Sequence, residues 1–429
     1  MRAVLRVSAP PVNQRQPLKV FFICWVAYAT SQMDLALFGY ALPLILEEWN
    51  LDRSDLRWIL FCSFAGGGVV LVWLGTLTDR LGRKRMLVGS ILASSGFVAG
   101  HGLVTGPIGL AVMRGAAIAT GGLTYPVSGA MVTEVAPARW RGIYAGLLQT
   151  GYPAGWFLAA MFAAPLLTIL GWRLLFLVGL LSIPYAWVVH RTLRESHRFN
   201  TQNAEHRSLG SRDRILMLLR PPYRSRTVTL FCAQFLFVVA YGGTALLFPL
   251  YFTEERGFSI GSSATLVGFG NAIAIIGYLG AALIGEFVLS RRNTVVVWTL
   301  AGGLGFLWLV WGTQGYGDSL LAFGVMSIFF YGAAAVKFAF VAEVFPTELR
   351  ATGLALASSL AVTLGTAIGP VLVLTAVDRW GWDIAFSMFG AIPLFLAGIF
   401  YLFLTPVPSG IEVEEVQLHL AREARGDVS

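Results

Sequence analysis

"GTLTDRLGRKR", Gly75 to Arg85, packs one acid and four bases into the seven positions from Asp79 to Arg85. Across the 429 residues only 13% are charged and 56% are hydrophobic, so this cluster interrupts two apolar runs. A soluble domain with so few charges could not solvate its surface. A bilayer-crossing helix needs roughly 20 mostly apolar residues. Twelve such segments can be read, at 18–46, 55–78, 86–104, 107–132, 142–170, 173–192, 227–252, 262–289, 293–313, 319–342, 350–377 and 383–404. They are too long for barrel strands, and lipid leaves open backbone groups unpaired, so helices are expected. The first segment is too long for the apolar part of a cleaved signal peptide and is expected to stay in the membrane.

The net charge of +8 is a topology signal rather than a nucleic-acid footprint. With the N-terminus cytoplasmic, 24 of the 31 Lys and Arg fall on the cytoplasmic side. Arg53, Arg57, Arg173, Arg256 and Arg379 fall outside, and Arg114 and Lys337 lie within spans. The predicted location is a plasma (inner) membrane, multi-pass, with both termini cytoplasmic. The opening cluster is then the short cytoplasmic loop between spans 2 and 3.

The chain also repeats itself. "EVAPARWR" at Glu134–Arg141 matches "EVFPTELR" at Glu343–Arg350, an offset of 209. "GWRLLF" at Gly171 matches "GWDIAF" at Gly381, Pro43 matches Pro249, and Asp79 aligns with Glu286. The predicted organisation is an N-terminal arm (1–17), a six-helix bundle (18–192), a cytoplasmic linker (193–226), partly helical, a second six-helix bundle (227–404) and a cytoplasmic tail (405–429). Two such halves with a substrate site between them form a known transporter architecture.

On these residues the chain resembles the major facilitator superfamily over essentially its whole length. Gly75, Asp79, Arg80, Gly82, Arg83 and Lys84 match every fixed position of the superfamily pattern Gly-x-x-x-Asp-Arg-x-Gly-Arg-Lys between spans 2 and 3. "RGIYAGLLQTGYPAGWFLAA", "GWRLLFLVG" and "RESHRF" are similar to the sialate and monocarboxylate proton symporters, and "AEVFPTELRATG" is shared with those and with sugar porters. Asp34 resembles the span-1 acid of the aromatic-acid proton symporters, although their Asp-Gly-x-Asp pattern is absent from "SQMDLALFGY". The resemblance implies that Asp79 faces the start of span 11 and that this contact holds the cytoplasmic side closed until the halves rock. It also implies a monomer.

From the residues themselves, Asp79 ends span 2 where the helix dipole disfavours an anion, so it needs donors, and Arg83 is well placed. Glu134, Arg141, Glu286, Glu343 and Arg350 are expected to join it in a cytoplasmic charge network; the bland alternative is isolated surface ion pairs of about 0–1 kcal/mol. Inside the membrane, ionisable residues are costly and usually functional. Asp34 lies about 20 Å from each end of a long first helix, near the midplane. It either couples a proton to transport or permanently partners a buried base. Arg114 either binds a substrate carboxylate or pairs with Asp34, and it is grouped with Asp34 for proton coupling. Lys337 lies about 9 Å from the cytoplasmic end of span 10, so it either snorkels or offers its charge to an anionic substrate. Gln149, Tyr152, Gln234, Tyr241, Asn271 and Tyr331 either line a cavity or bond neighbouring helices.

Enzyme readings find no support: no phosphate-binding Gly-x4-Gly-Lys-[Ser/Thr] motif, no zinc spacing among the five histidines, and three scattered cysteines. No cofactor and no metal are expected. The sequence therefore predicts an all-α twelve-helix secondary transporter, not an enzyme: a proton-coupled symporter of a small organic anion, with the lipid bilayer as its other partner. A sugar or polyol porter and a drug/proton antiporter are the alternatives.

Overall fold

The computed structural model describes residues 15–137, 140–193, 195, 211–345 and 347–405. Most of the predicted N-terminal arm and tail, and the linker residues 196–210, lie outside these. Among the described residues the chain is helical and has no strand. Eleven helices among these residues are long and apolar enough to cross a membrane. They are numbered here as spans in chain order: span 1 Pro17–Glu48, span 2 Arg53–Thr78, span 3 Arg83–Leu103, span 5 Arg141–Ile169, span 6 Gly171–Thr192, span 7 Tyr223–Thr244, span 8 Ile260–Phe287, span 9 Arg291–Trp311, span 10 Tyr316–Glu343, span 11 Thr352–Trp380 and span 12 Trp382–Leu402. A short linker helix, Ser211–Leu218, precedes span 7.

Span 4 departs from the single helix predicted over 107–132. It is two helices set end to end, Pro107–Gly121 and Thr124–Val135. The break falls at Gly122, where a Cβ would approach Leu71 Cδ2 of span 2 to 2.8 Å. Close crossing, rather than a continuous helix, is what the glycine pair supplies here. Ser31 of span 1 donates to the carbonyl of Gly121 at 3.1 Å, so the joint is hydrogen-bonded across helices. Span 10 breaks at the matching place, between Tyr316–Phe330 and Ala333–Glu343. There Gly332 meets Gly277 of span 8 so closely that a Cβ would lie 2.6 Å from backbone.

One further irregularity is paired between the halves. The 3₁₀ segment Phe176–Leu181 of span 6 corresponds to the π segment Ser387–Ala391 of span 12. Span 7 runs past Thr244 into a second short helix, Phe248–Glu254. One continuous apolar core joins both halves through residues such as Leu37, Trp156, Phe237 and Phe323. The outside is apolar too: Ile108, Val69 and Trp73 are 81%, 69% and 61% exposed. That inversion, with large apolar side chains turned outward along the spans, suits contact with lipid rather than water.

Candidate functional site

Aromatic rings from both halves meet at the centre. Span 5 carries Tyr152 and Trp156 one turn apart, their rings 5.9 Å from each other. Tyr152 lies 5.5 Å from Tyr241 of span 7 and 6.1 Å from Tyr331, at the break of span 10. Tyr241 and Tyr331 meet edge to face at 5.7 Å. Tyr40 of span 1 packs against Trp156 and donates to its carbonyl at 3.1 Å. Aromatic bodies with hydroxyl tips make a lining that is apolar in area yet able to orient a polar group.

Lys337 adjoins this cluster. It is 4% exposed, and its Nζ lies 3.7 Å from the ring centroid of Phe237, which stacks near Tyr241 at 6.3 Å. Among the described residues no carboxylate pairs with it. The side chain does not snorkel; the break in span 10 and the close span 8 crossing direct it inward. A buried cation set against ring faces, with no carboxylate partner among the described residues, can receive an anion.

The polar residues of the first half are arranged differently. Asp34 is buried and accepts from Ser95 of span 3 at 3.1 Å and Ser182 of span 6 at 3.3 Å. It therefore points into its own bundle. Arg114 does not pair with it. Its Nη1 donates to the carbonyl of Leu35 at 2.8 Å, its guanidinium lies 4.4 Å from the Phe38 ring centroid, and its buried Nε has no partner. Gln149 accepts from Tyr28 at 3.4 Å and leaves its amide nitrogen unpaired. Gln234 instead ties three helices of the second half: it donates to Ser358 at 2.7 Å and accepts from Tyr401 at 2.8 Å. Asn271 donates to the carbonyl of Val267 in its own helix.

On the predicted cytoplasmic side the charge clusters repeat. Arg83 pairs with Glu134 in the first half. In the second, Arg291 pairs with Glu343 and with Glu286, the latter at 2.7 Å. The second cluster reaches the start of span 5: a Cβ on Gly142, next to Arg141, would lie 3.1 Å from Arg291 Nη2. Gly82 has φ +93°, and a Cβ there would meet Glu195 Oε2 at 2.7 Å, while Glu195 accepts from the Lys84 backbone at 3.1 Å. The signature glycine is thus fixed by backbone conformation and by close approach together. The side chains of Asp79 and Arg80, and so the expected Asp79–span 11 contact, lie outside the described residues. Arg350 has a partner within the structure. On the opposite side, Arg53 pairs with Glu254 at 2.7 Å and Asp378 at 3.3 Å, and Arg57 pairs with Asp378. This clamp joins span 2 to spans 7 and 11, beside an open depression of about 600 Å³.

The family model described as Major Facilitator Superfamily matches residues 24–312. The chain belongs to the major facilitator superfamily. It is 28% identical to a gentisate transporter of Corynebacterium glutamicum, over 89% of this chain and 86% of that one. It is 24% identical to the niacin transporter NiaP of Acinetobacter baylyi, over 93% and 96%. It is 27% identical to a gallate transporter of Pseudomonas putida, over 78% and 80%. These agree with the aromatic-acid porter resemblance, and they make this superfamily member a multi-pass transporter rather than an enzyme.

Several residues escaped the sequence reading: Trp156, Phe237, Tyr40 and Tyr28 near the centre, Glu195 at the signature loop, and Glu254 and Asp378 on the opposite side. The i, i+4 pairs Tyr152/Trp156 and Phe237/Tyr241 were the available signal, but in a chain that is 13% aromatic such pairs are common. The clamp unites residues up to 325 positions apart, which no local pattern reveals.

Proposed function

We propose that this transporter carries a small aromatic carboxylate together with a proton, by alternating access between its two halves. The observation that carries the reading is Lys337: a buried cation with no carboxylate partner among the described residues, set on Phe237, which adjoins Tyr241 and through it Tyr152 and Tyr331. A neutral sugar has no use for that charge, whereas a ring-bearing carboxylate matches both cation and rings. The names of the relatives fit, since gentisate, gallate and niacin are all aromatic acids.

In this reading the substrate ring stacks among Tyr152, Tyr241, Tyr331 and Trp156, and its carboxylate meets Lys337. Gln149 and Arg114 supply further donors from the first half, and Asn271, whose Oδ1 has no partner among the described residues, a polar contact from the second; Gln234, tied to spans 11 and 12, serves helix packing. Asp34 exchanges the coupled proton, its charged and neutral forms both accommodated by the hydroxyls of Ser95 and Ser182. The 18–192 and 227–404 bundles move against each other. The cytoplasmic charge clusters, with Asp79 and Arg80, latch one side, and the arginine clamp latches the other. The charge bias of the loops supports a plasma-membrane location with cytoplasmic termini.

The test is proton flux into proteoliposomes holding the purified protein, challenged in turn with hydroxybenzoates and nicotinate, neutral sugars, and cationic drugs. Carboxylate-stimulated proton uptake is expected. Stimulation by sugars or drugs alone would overturn the assignment.

A further inference from the structure

A buried histidine stands at the end of span 3, in the first half. His101 closes span 3, is 0% exposed, and lies two residues from Leu103, which is 83% exposed. Its ring stacks on Phe176 at 4.8 Å and meets Phe38 edge to face at 5.8 Å. Nδ1 lies 2.8 Å from the carbonyl of Phe97 and 3.1 Å from that of Val98. Carbonyls only accept, so Nδ1 carries the hydrogen, and in the neutral ring Nε2 presents a lone pair. That Nε2 is buried and has no partner among the described residues. Buried polar atoms are normally satisfied, so an unpaired acceptor in a packed bundle calls for an occupant.

Its position suggests which one. Ser95, the donor to Asp34, lies six residues earlier on the same helix, about 9 Å of rise. Phe38 lies one turn beyond Asp34 on span 1 and touches both His101 and the Arg114 guanidinium. The charged group facing His101 is Arg114 from span 4; Asp34 lies one turn deeper than Phe38 on span 1, and span 6 brings the Phe176 ring and, beside Gly102, the Arg173 carbonyl. Above it, Trp172 and Arg173 bind Glu48, with Trp172 Nε1 donating to Glu48 at 2.5 Å. His101 thus sits between the Glu48 ion pair and the midplane acid, inside one bundle and apart from the central ring cluster.

We infer that His101 is the outer station of a proton path that serves Asp34 within the first half, separate from the route of the substrate. The step balances simply. Nε2 takes a proton from the outer side and the ring becomes imidazolium. It then releases that proton toward Asp34, by way of the Ser95 hydroxyl or intervening water, and the carboxylate becomes a carboxylic acid. The Nδ1 hydrogen stays on its carbonyls, and no electron is transferred. The inference rests on the proposal that Asp34 carries the coupled proton.

The experiment compares wild type, His101→Gln, His101→Asn and Asp34→Asn in proteoliposomes, using a labelled hydroxybenzoate. Counterflow, which needs no net proton movement, reports folding and substrate binding. Proton-driven influx across a range of external pH reports coupling. Both His101 variants are expected to keep counterflow within about twofold, to lose at least about tenfold of proton-driven initial rate, and to show a flattened dependence on external pH. A wild-type influx profile in either His101 variant, with Asp34→Asn uncoupled, overturns the role of His101 and leaves Asp34 standing. Equal loss of counterflow and influx in both His101 variants overturns it in favour of packing. Uphill accumulation by Asp34→Asn removes the Asp34 reading, and this one with it.

Discussion

Span 4 breaks after Gly121 and span 10 after Phe330, 209 residues apart, yet the side chains around the two joints differ in kind. The backbone plan of the halves is shared down to their paired 3₁₀ and π segments. The charges are not. Asp34 corresponds by the repeat to Ala240, and Arg114 to Phe323, both fully buried and apolar. Lys337 corresponds in turn to Ser128. Helix joints are set by how closely neighbouring helices cross, a constraint both halves share. A buried charge is set by what must be bound, and each half carries its own. The first half holds an acid and a histidine directed into its own bundle, and an arginine set on the Leu35 carbonyl and the Phe38 ring with its Nε unpaired. The second holds one lysine beside the rings at the interface.

If this division is real, separate substitutions should separate the two tasks. Asp34→Asn should have the largest effect: the accumulation ratio in a pH gradient falls to one while counterflow persists. Uphill uptake by that variant would break the division outright. Lys337→Gln should raise the KM for aromatic carboxylates by about 10–100-fold, since a charge-assisted hydrogen bond contributes roughly 1.5–3 kcal/mol. Coupling of the remaining flux should be intact, and an unchanged KM would mean the carboxylate binds elsewhere. Tyr241→Ala should weaken binding by about 2–10-fold, the range expected for loss of an aromatic pair, and Tyr241→Phe by less. Competition assays with ring-substituted benzoates would show whether ring contact or the hydroxyl matters. The smallest effect belongs to the outer clamp. Its exposed pairs contribute about 0–1 kcal/mol each. Arg57→Ala should therefore change the labelling rate of a cysteine introduced at Ser54, in a background lacking Cys62, by no more than about fivefold. High salt should produce the same change in the unsubstituted clamp.

The charged phrase between spans 2 and 3 was legible because its meaning is local. Gly82 turns the chain with positive φ, and Arg83 finds Glu134 at a helix end that the repeat had already marked. Lys337 was legible as an anomaly, one of three lysines in the chain, but not its direction. Asp34 could be placed in depth but not in azimuth, and its hydroxyl partners on spans 3 and 6 were invisible. His101 was passed over because a histidine without metal spacing has no local signature, and its unpaired nitrogen is a property of what surrounds it.

Apolar length, loop charge and internal repetition determined the helices, their number and the pairing of the halves, because lipid imposes those rules on each segment separately. Tertiary structure alone decided where span 4 breaks, which rings meet at the centre, that Asp34 and Arg114 do not pair, and which charges bridge the halves. Those outcomes depend on the rotation and crossing of helices, set by packing between residues far apart in the chain, and no single segment carries that information.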